Sequence, residues 1–410
     1  MLIISSRLSG VEQGFYYTFS SVLALQVFVE LGLVTVIVQL ASHEWAFLHQ
    51  DGASPITGNA RALSRLSSLL RFALKWYAGI ALLVAVGLSV GGWMFFAGKP
   101  HTEVVWRLPW LLLCGVASVT LMMSPFFSVI EGCNRVASIY SFRLIQGVAN
   151  SVAVILGITS GLGLYALPLA AAVRLLCGVV YLCWKQRHFI EQLLTSVVNE
   201  RINWAVEVWP FQWRIGVSWI SGYFVFSVFT PVMFHFHGAE LAGQMGMTWA
   251  LVASIESLSS PWISSRIAQF GVLISRREFP ALDRLFGRLL LITLTLAVTG
   301  SVALAGLIYV VHYSGIAFSA RILPMIPAAI FIIQRPLNVL VSAFAIYTRS
   351  HKKELMMGPS LISGALIGSA TYLLGASYGP TGAATGFLVI TMLWNIPSSY
   401  YIFNRCRRAH

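Results

Sequence analysis

Apolar runs broken by short polar stretches cover most of the chain. Eleven of them lie near 15–41, 72–96, 109–130, 143–160, 163–183, 213–235, 243–264, 288–311, 318–347, 356–376 and 381–403. About 20 apolar residues coiled as a helix cross the hydrocarbon core of a bilayer. No strand-length alternation of apolar and polar positions recurs, so the backbone has to satisfy its own hydrogen bonds within helices. The pattern predicts an all-α polytopic membrane protein of about 11 transmembrane helices.

Composition agrees. Hydrophobic residues make up 57% of the chain, charged residues 10%, and the mean hydropathy is +0.78. So few charges cannot cover the surface of a water-soluble domain. The net charge of +13 needs a separate account. With the loop 42–71 inside and strict alternation thereafter, 21 basic residues fall on the inner side, Arg61, Arg65, Lys352, Lys353 and Arg408 among them. Only 4 fall outside: Arg7, Lys99, Arg107 and Arg321. That asymmetry is the positive-inside rule. The basic charge orients the chain in the lipid bilayer and meets anionic lipid, and no nucleic-acid partner is expected.

Other classes are excluded by what the loops lack. Of the five cysteines, Cys114, Cys177 and Cys183 sit in or at the ends of apolar runs, and Cys133 and Cys406 face inward. They suggest neither a disulfide framework nor metal spacing. There is no Gly-x4-Gly-Lys-Ser/Thr loop for ATP, and no inner domain of the size a glycosyltransferase or kinase needs. Neither enzymatic activity nor a cofactor is expected.

The chain echoes itself. Ala62-Leu63-Ser64-Arg65-Leu66 returns as Ala281-Leu282-Asp283-Arg284-Leu285, 219 residues later. Gly14 and Gly243 open the helices preceding these two segments, and the turn at Gly161-Leu162-Gly163 resembles that at Tyr378-Gly379-Pro380. Matching helices run in the same direction, which predicts two parallel pseudo-symmetric halves, 1–183 and 213–410, joined by a cytoplasmic linker at 184–212. Transporter folds use such duplications, with the substrate path between the halves. The helix at 213–235 has no first-half counterpart, so the repeat predicts a truncated 6+6 arrangement, five helices plus six, that lacks its first helix.

Several stretches carry a family resemblance. Glu12-Gln13-Gly14-Phe15-Tyr16-Tyr17, Phe28-Val29-Glu30-Leu31-Gly32-Leu33 and Gln39-Leu40-Ala41-Ser42-His43-Glu44 resemble the second helix of bacterial polysaccharide flippases, the Wzx-like branch of the MOP exporter superfamily. Glu131-Gly132-Cys133-Asn134-Arg135 with Arg143-Leu144-Ile145-Gln146-Gly147 is similar to that family's fourth-to-fifth helix junction, and Tyr378-Gly379 with Gly382 to the approach to its last helix. The resemblance implies a flippase of the bacterial cytoplasmic (inner) membrane serving polysaccharide biosynthesis of the O-antigen kind. Its substrate would be a lipid-linked anionic glycan, a polyprenyl-diphosphate oligosaccharide, moved by alternating access.

Ionisable residues within membrane spans are costly and mark functional sites, at roughly 2.5–3.5 kcal/mol each on insertion scales. Arg174 and Arg335 lie inside apolar runs, Arg335 beside Pro336. A guanidinium matches phosphate geometry bidentately, so both are candidate ligands of a diphosphate head group; their competing role is a structural ion pair. Glu30 and Glu256 are the two carboxylates within apolar runs. They are candidates either to neutralise those arginines or to couple transport to a proton or sodium ion. Gln146, Gln334 and Asn338 are candidate sugar-facing groups or interhelical hydrogen-bond partners. His235 and His237, beside Glu240, read as an interfacial pair, and Trp93, Trp106 and Trp110 as interfacial anchors. Two further functions compete: a drug or cation antiporter of the same superfamily, and a membrane glycan polymerase or ligase.

The charge asymmetry predicts that cysteine labelling from outside reaches position 99 and not position 408. Labelling at 408 with protection at 99 inverts the topology.

Overall fold

Helices account for most of the computed structural model, which describes residues 2–50, 54–98, 104–351 and 355–408 and omits the side chains of Phe211 and Ala268. Lys99, Lys352 and Lys353, counted above as loop charges, lie outside the described residues. A two-residue antiparallel ribbon pairs Leu48–His49 with Thr57–Gly58. Seven helices among the described residues are long and apolar enough to cross a membrane, nine when two bent pairs each count as one span. The last of these, Met357–Arg408, is broken at Gly379, whose φ of 60° and ψ of −147° are non-helical. Ala239–Ser259 adds a helix whose Glu240, Gln244 and Glu256 dilute its apolar face. Each of the eleven apolar runs thus coincides with helix. Packing groups the chain into two compact units, Val22–Ile220 and Met1–Ser21 with Ser221–His410.

In the unit Val22–Ile220, the helix Ala60–Ala97 starts well before its apolar run. Asn59 caps it, accepting from the Arg61 amide at 2.8 Å. Its polar first turns carry the stretch read from the sequence as a linker. Ser64 Oγ accepts from the amides of Asn199 (2.9 Å) and Glu200 (2.8 Å), and Ser68 Oγ from Ile202 (3.1 Å). Arg65 pairs with Glu44 at 2.7 Å and Glu207 at 2.5 Å, and its hydrogen bond holds the Glu207 carboxyl below the usual carboxylate range. Arg71 donates to the carbonyls of Leu194 and Ser196, and Phe72 stacks on Trp204 at 4.0 Å. Residues 61, 64, 65, 68, 71 and 72 share one helical face, so 194–207 lies strapped along that face.

A helical run breaks in this unit directly after Glu30. Leu31 and Gly32 take positive φ values of 49° and 65°. A Cβ on Gly32 would collide with Ile215 Cγ2, and one on Gly216 would lie 2.9 Å from Leu31 Cβ. Trp110 corrects an expectation: it is fully buried over Gly92 and donates to the Leu88 carbonyl at 3.1 Å. It is a core residue, whereas Trp93 is 38% exposed, with the Arg107 guanidinium 5.1 Å from its ring.

In the other unit, Gly10–Leu23 starts with a capping box: Ser9 Oγ accepts from the Glu12 amide and Glu12 from the Ser9 amide, at 3.1 and 2.8 Å. This helix crosses Ala239–Ser259 at backbone-contact distance. A Cβ on Gly14 would overlap the Ala239 carbonyl, one on Gly243 would lie 2.8 Å from the Gly14 nitrogen, and one on Gly246 would overlap the Tyr17 ring. Close approach of this kind requires small residues. Gln13, 1% exposed, ties the crossing down by donating to the carbonyls of Gly243 and Arg321, both at 2.9 Å.

A side chain at Gly14 is expected to break this crossing. Gly14→Ala should lower stability by about 1–3 kcal/mol, read as a lower midpoint in thermal unfolding of the purified protein. Gly79→Ala is the control, since a Cβ there meets nothing within 4 Å. Equal midpoints for the two variants would dismiss the crossing as a constraint.

Candidate functional site

Arg335 is the most deeply buried charge among the described residues, at 1% exposure. It lies in Met325–Ser350, one residue before Pro336. Proline has no amide hydrogen, so the Ile332 carbonyl one turn earlier loses its helical partner. Ser301, from the neighbouring helix Phe279–Tyr313, donates its hydroxyl to that carbonyl at 3.4 Å. The proline is thus accommodated with the bundle closed around it, and Gln334, Arg335 and Asn338 share the inward face of the helix, all buried.

The guanidinium has an anion and a ring as company. Nη1 donates to Glu256 Oε2 at 2.6 Å, and Cζ stands 4.8 Å from the Trp249 ring centre. Phe229 and Phe331 hold Trp249, with ring centres at 4.9 and 5.6 Å. Trp249 and Glu256 are seven residues apart on one helix, so both present to the same face. Nε and Nη2 of Arg335 find no hydrogen-bond partner among the described residues. Glu256, 26% exposed, opens with Trp249, Ser257, Ser260 and Arg335 on a cavity of about 580 Å3. Gln334 donates to Thr391 Oγ1 at 3.4 Å, while Gln334 Oε1, Asn338 Nδ2 and Asn395 Oδ1 are buried without partners among the described residues. Thr391 and Asn395 bound a π-helical turn, Thr391–Asn395, a feature frequent at functional sites.

The other unit holds the remaining candidates. Arg174, exposed on Ala166–Val180, lines two cavities. One, of about 310 Å3, adds Arg143, Gln146, Gly147 and Asn150, whose spacing puts them on one helical face. The other, of about 220 Å3, adds Gln26, Glu30, Thr120 and Ser124. Gln146 donates to the Arg174 carbonyl at 2.9 Å, and Arg143 pairs with Glu131 at 2.7 Å. Glu30, at the helix break, forms no ion pair among the described residues and shares its cavity with Arg174.

The structure therefore joins Arg335 to Glu256 and sets Gln334 and Asn338 beside them. It brings Arg174, Gln146 and Glu30 to adjoining cavities without an Arg174–Glu30 ion pair. His237 bonds the Gly375 carbonyl at 2.7 Å. Trp249, Ser301, Thr391 and Asn395 escaped sequence reasoning. The spacing of Trp249 from Glu256 was the only available signal. Among the described residues no cluster of His, Cys, Asp and Glu could hold a metal.

A buried pair resists loss of one partner, because the survivor keeps its desolvation cost, about 3–5 kcal/mol. Glu256→Gln strands a buried guanidinium, whereas Arg335→Gln leaves a carboxylate that reaches the cavity. Glu256→Gln is therefore expected to lower the unfolding midpoint more than Arg335→Gln, and the double variant to recover part of the loss. Additive effects of the two changes would refute the coupling.

No protein-family model and no curated protein sequence matches the chain. Solved structures do. The chain is similar to the lipid II flippase MurJ in an inward closed conformation, at TM-score 0.61 and 12% identity over 97% of this chain and 87% of that one. It is similar to a multidrug resistance MATE family transporter of the MOP superfamily in its inward-facing conformation, at TM-score 0.59 and 12% identity over 97% and 93%. The Vibrio cholerae MATE transporter VcmN in its bent form matches at TM-score 0.55 and 16% identity over 100% and 92%. The chain has the polytopic helical fold of MOP-superfamily transporters.

Proposed function

We propose that this protein is a flippase that carries a lipid-linked anionic oligosaccharide, a polyprenyl-diphosphate glycan, across the bacterial cytoplasmic membrane. In this proposal the helical halves 1–183 and 213–410, joined by 184–212, alternate in access, with the C-terminus cytoplasmic. The observation that carries it is Arg335, a buried guanidinium with one N–H group on Glu256 and two nitrogens without partners, in the wall of an open cavity. Phosphate oxygens accept two parallel N–H bonds from that geometry. The amides of Gln334 and Asn338 are polar groups fit for sugar hydroxyls. Arg174 adds a second, more accessible cation. A flippase and drug transporters both occur among structures of this fold, and the buried cation favours an anionic cargo.

Glu30 supports a second reading. A carboxylate without an ion-pair partner in a cavity with Gln26 suits a cationic drug or a coupling proton or sodium ion; Arg174 in the same wall opposes the drug.

Glycan export measured at matched protein levels separates the readings. Arg335→Lys, which keeps the charge and loses the fork, should reduce export partly, and Arg335→Ala more. Normal export in Arg335→Ala and Arg174→Ala, with dye efflux lost in Glu30→Gln, favours the antiporter and ends the flippase reading.

A further inference from the structure

The last helical segment, Ile396–Arg408, is two-sided. Ser399, Phe403 and Cys406 are buried, and Phe403 packs between the rings of Phe344 (4.7 Å), Tyr347 (4.9 Å) and Phe286 (5.3 Å). Arg407 pairs with Asp283 at 2.6 Å, and Asp283 also accepts from the Tyr347 hydroxyl at 2.9 Å. These contacts fix the rotation of the helix about its axis. The opposite face is thereby committed outward. It carries Tyr400, Tyr401, Asn404, Arg405 and Arg408, which line a cavity of about 490 Å3.

The chemistry of this face is uniform. Tyr400 and Tyr401 are 52% and 66% exposed, and such amphipathic rings settle at the headgroup level of a bilayer. Arg405 and Arg408 form no ion pair among the described residues, unlike Arg407 between them. Asn404 adds an amide. Two cations, two phenols and an amide, within three turns at the end of a membrane span, match one phosphodiester with its glycerol oxygens. The carbonyl end of a helix repels an anion, so attraction here must come from the side chains alone. None of the lining residues belongs to the Arg335 cavity.

We infer that Tyr400, Tyr401, Asn404, Arg405 and Arg408 form a binding site for the phosphate headgroup of an anionic phospholipid, distinct from the transport cavity. The lipid occupies the site as a structural ligand. It seats the C-terminal helix at the bilayer surface and raises the stability of the folded protein by mass action.

Thermal unfolding of the purified full chain in detergent tests this, with added phosphatidylglycerol, phosphatidylcholine or inorganic phosphate. Phosphatidylglycerol should raise the midpoint, and the other two should not. Arg405→Gln with Arg408→Gln should weaken the phosphatidylglycerol response about tenfold in concentration. Arg284→Gln with Arg288→Gln, which removes the same charge from an exposed helix face, should leave it unchanged. The inference is overturned if the 405/408 pair responds like the parent, if both pairs lose the response equally, or if inorganic phosphate protects as well as the lipid.

Discussion

A guanidinium that is 1% exposed inside an apolar bundle constrains everything near it. It cannot deprotonate to escape burial, so its environment must supply the compensation. Glu256 supplies charge, Trp249 supplies the negative face of a ring, and the aromatic wall of Phe229 and Phe331 keeps that ring in place. Such a pair adds little to stability compared with a well-packed apolar replacement. Its presence therefore points to selection for a positive charge at that position. Nε and Nη2 carry the same message: two buried donors without hydrogen-bond partners among the described residues lower stability.

Breaks in the helices fall where this chemistry sits. Within a bilayer an unpaired carbonyl or amide is tolerated only where protein or a water-filled cavity satisfies it. Pro336 frees the Ile332 carbonyl beside Arg335, and Ser301 answers it. The π-helical turn Thr391–Asn395 lies against Gln334. Leu31 and Gly32 interrupt the helix directly after Glu30, at the wall of a cavity. Interrupted helices at the binding site are a recurrent device of membrane transporters, because a freed backbone end carries partial charge toward the cargo or ion.

Much of this was legible in the sequence. Apolar length reports directly on bilayer thickness, so the eleven runs and the polytopic fold needed no partner information. Arg335 and Glu256 stood out because a charge in an apolar run is conspicuous. What escaped depends on contacts distant in sequence. Ser301 matters only because Ile332 packs against it, and Trp249 only because Arg335 lies across from it. Trp110 was misjudged for a related reason. A tryptophan near a span end looks the same whether it faces the interface or a glycine such as Gly92, and only packing tells the two apart.

The two echoing stretches of sequence, 62–66 and 281–285, show how similar positions can fasten a distant segment by different chemistry. Ser64 and Asp283 occupy equivalent places in the two echoing segments. Ser64 accepts the amides of Asn199 and Glu200, fastening the stretch that trails the fourth apolar run after it. Asp283 accepts Arg407, fastening the end of the last helix. In each case the first turns of a long helix anchor a segment distant in sequence, by hydroxyl in one and by carboxylate in the other. The carboxylate suits the second place, because the partner there is an arginine near a helix C-terminus, whereas an extended backbone offers only amides to a hydroxyl. Gly14 and Gly243 meet at backbone distance. At backbone distance glycine is the residue that allows such an approach.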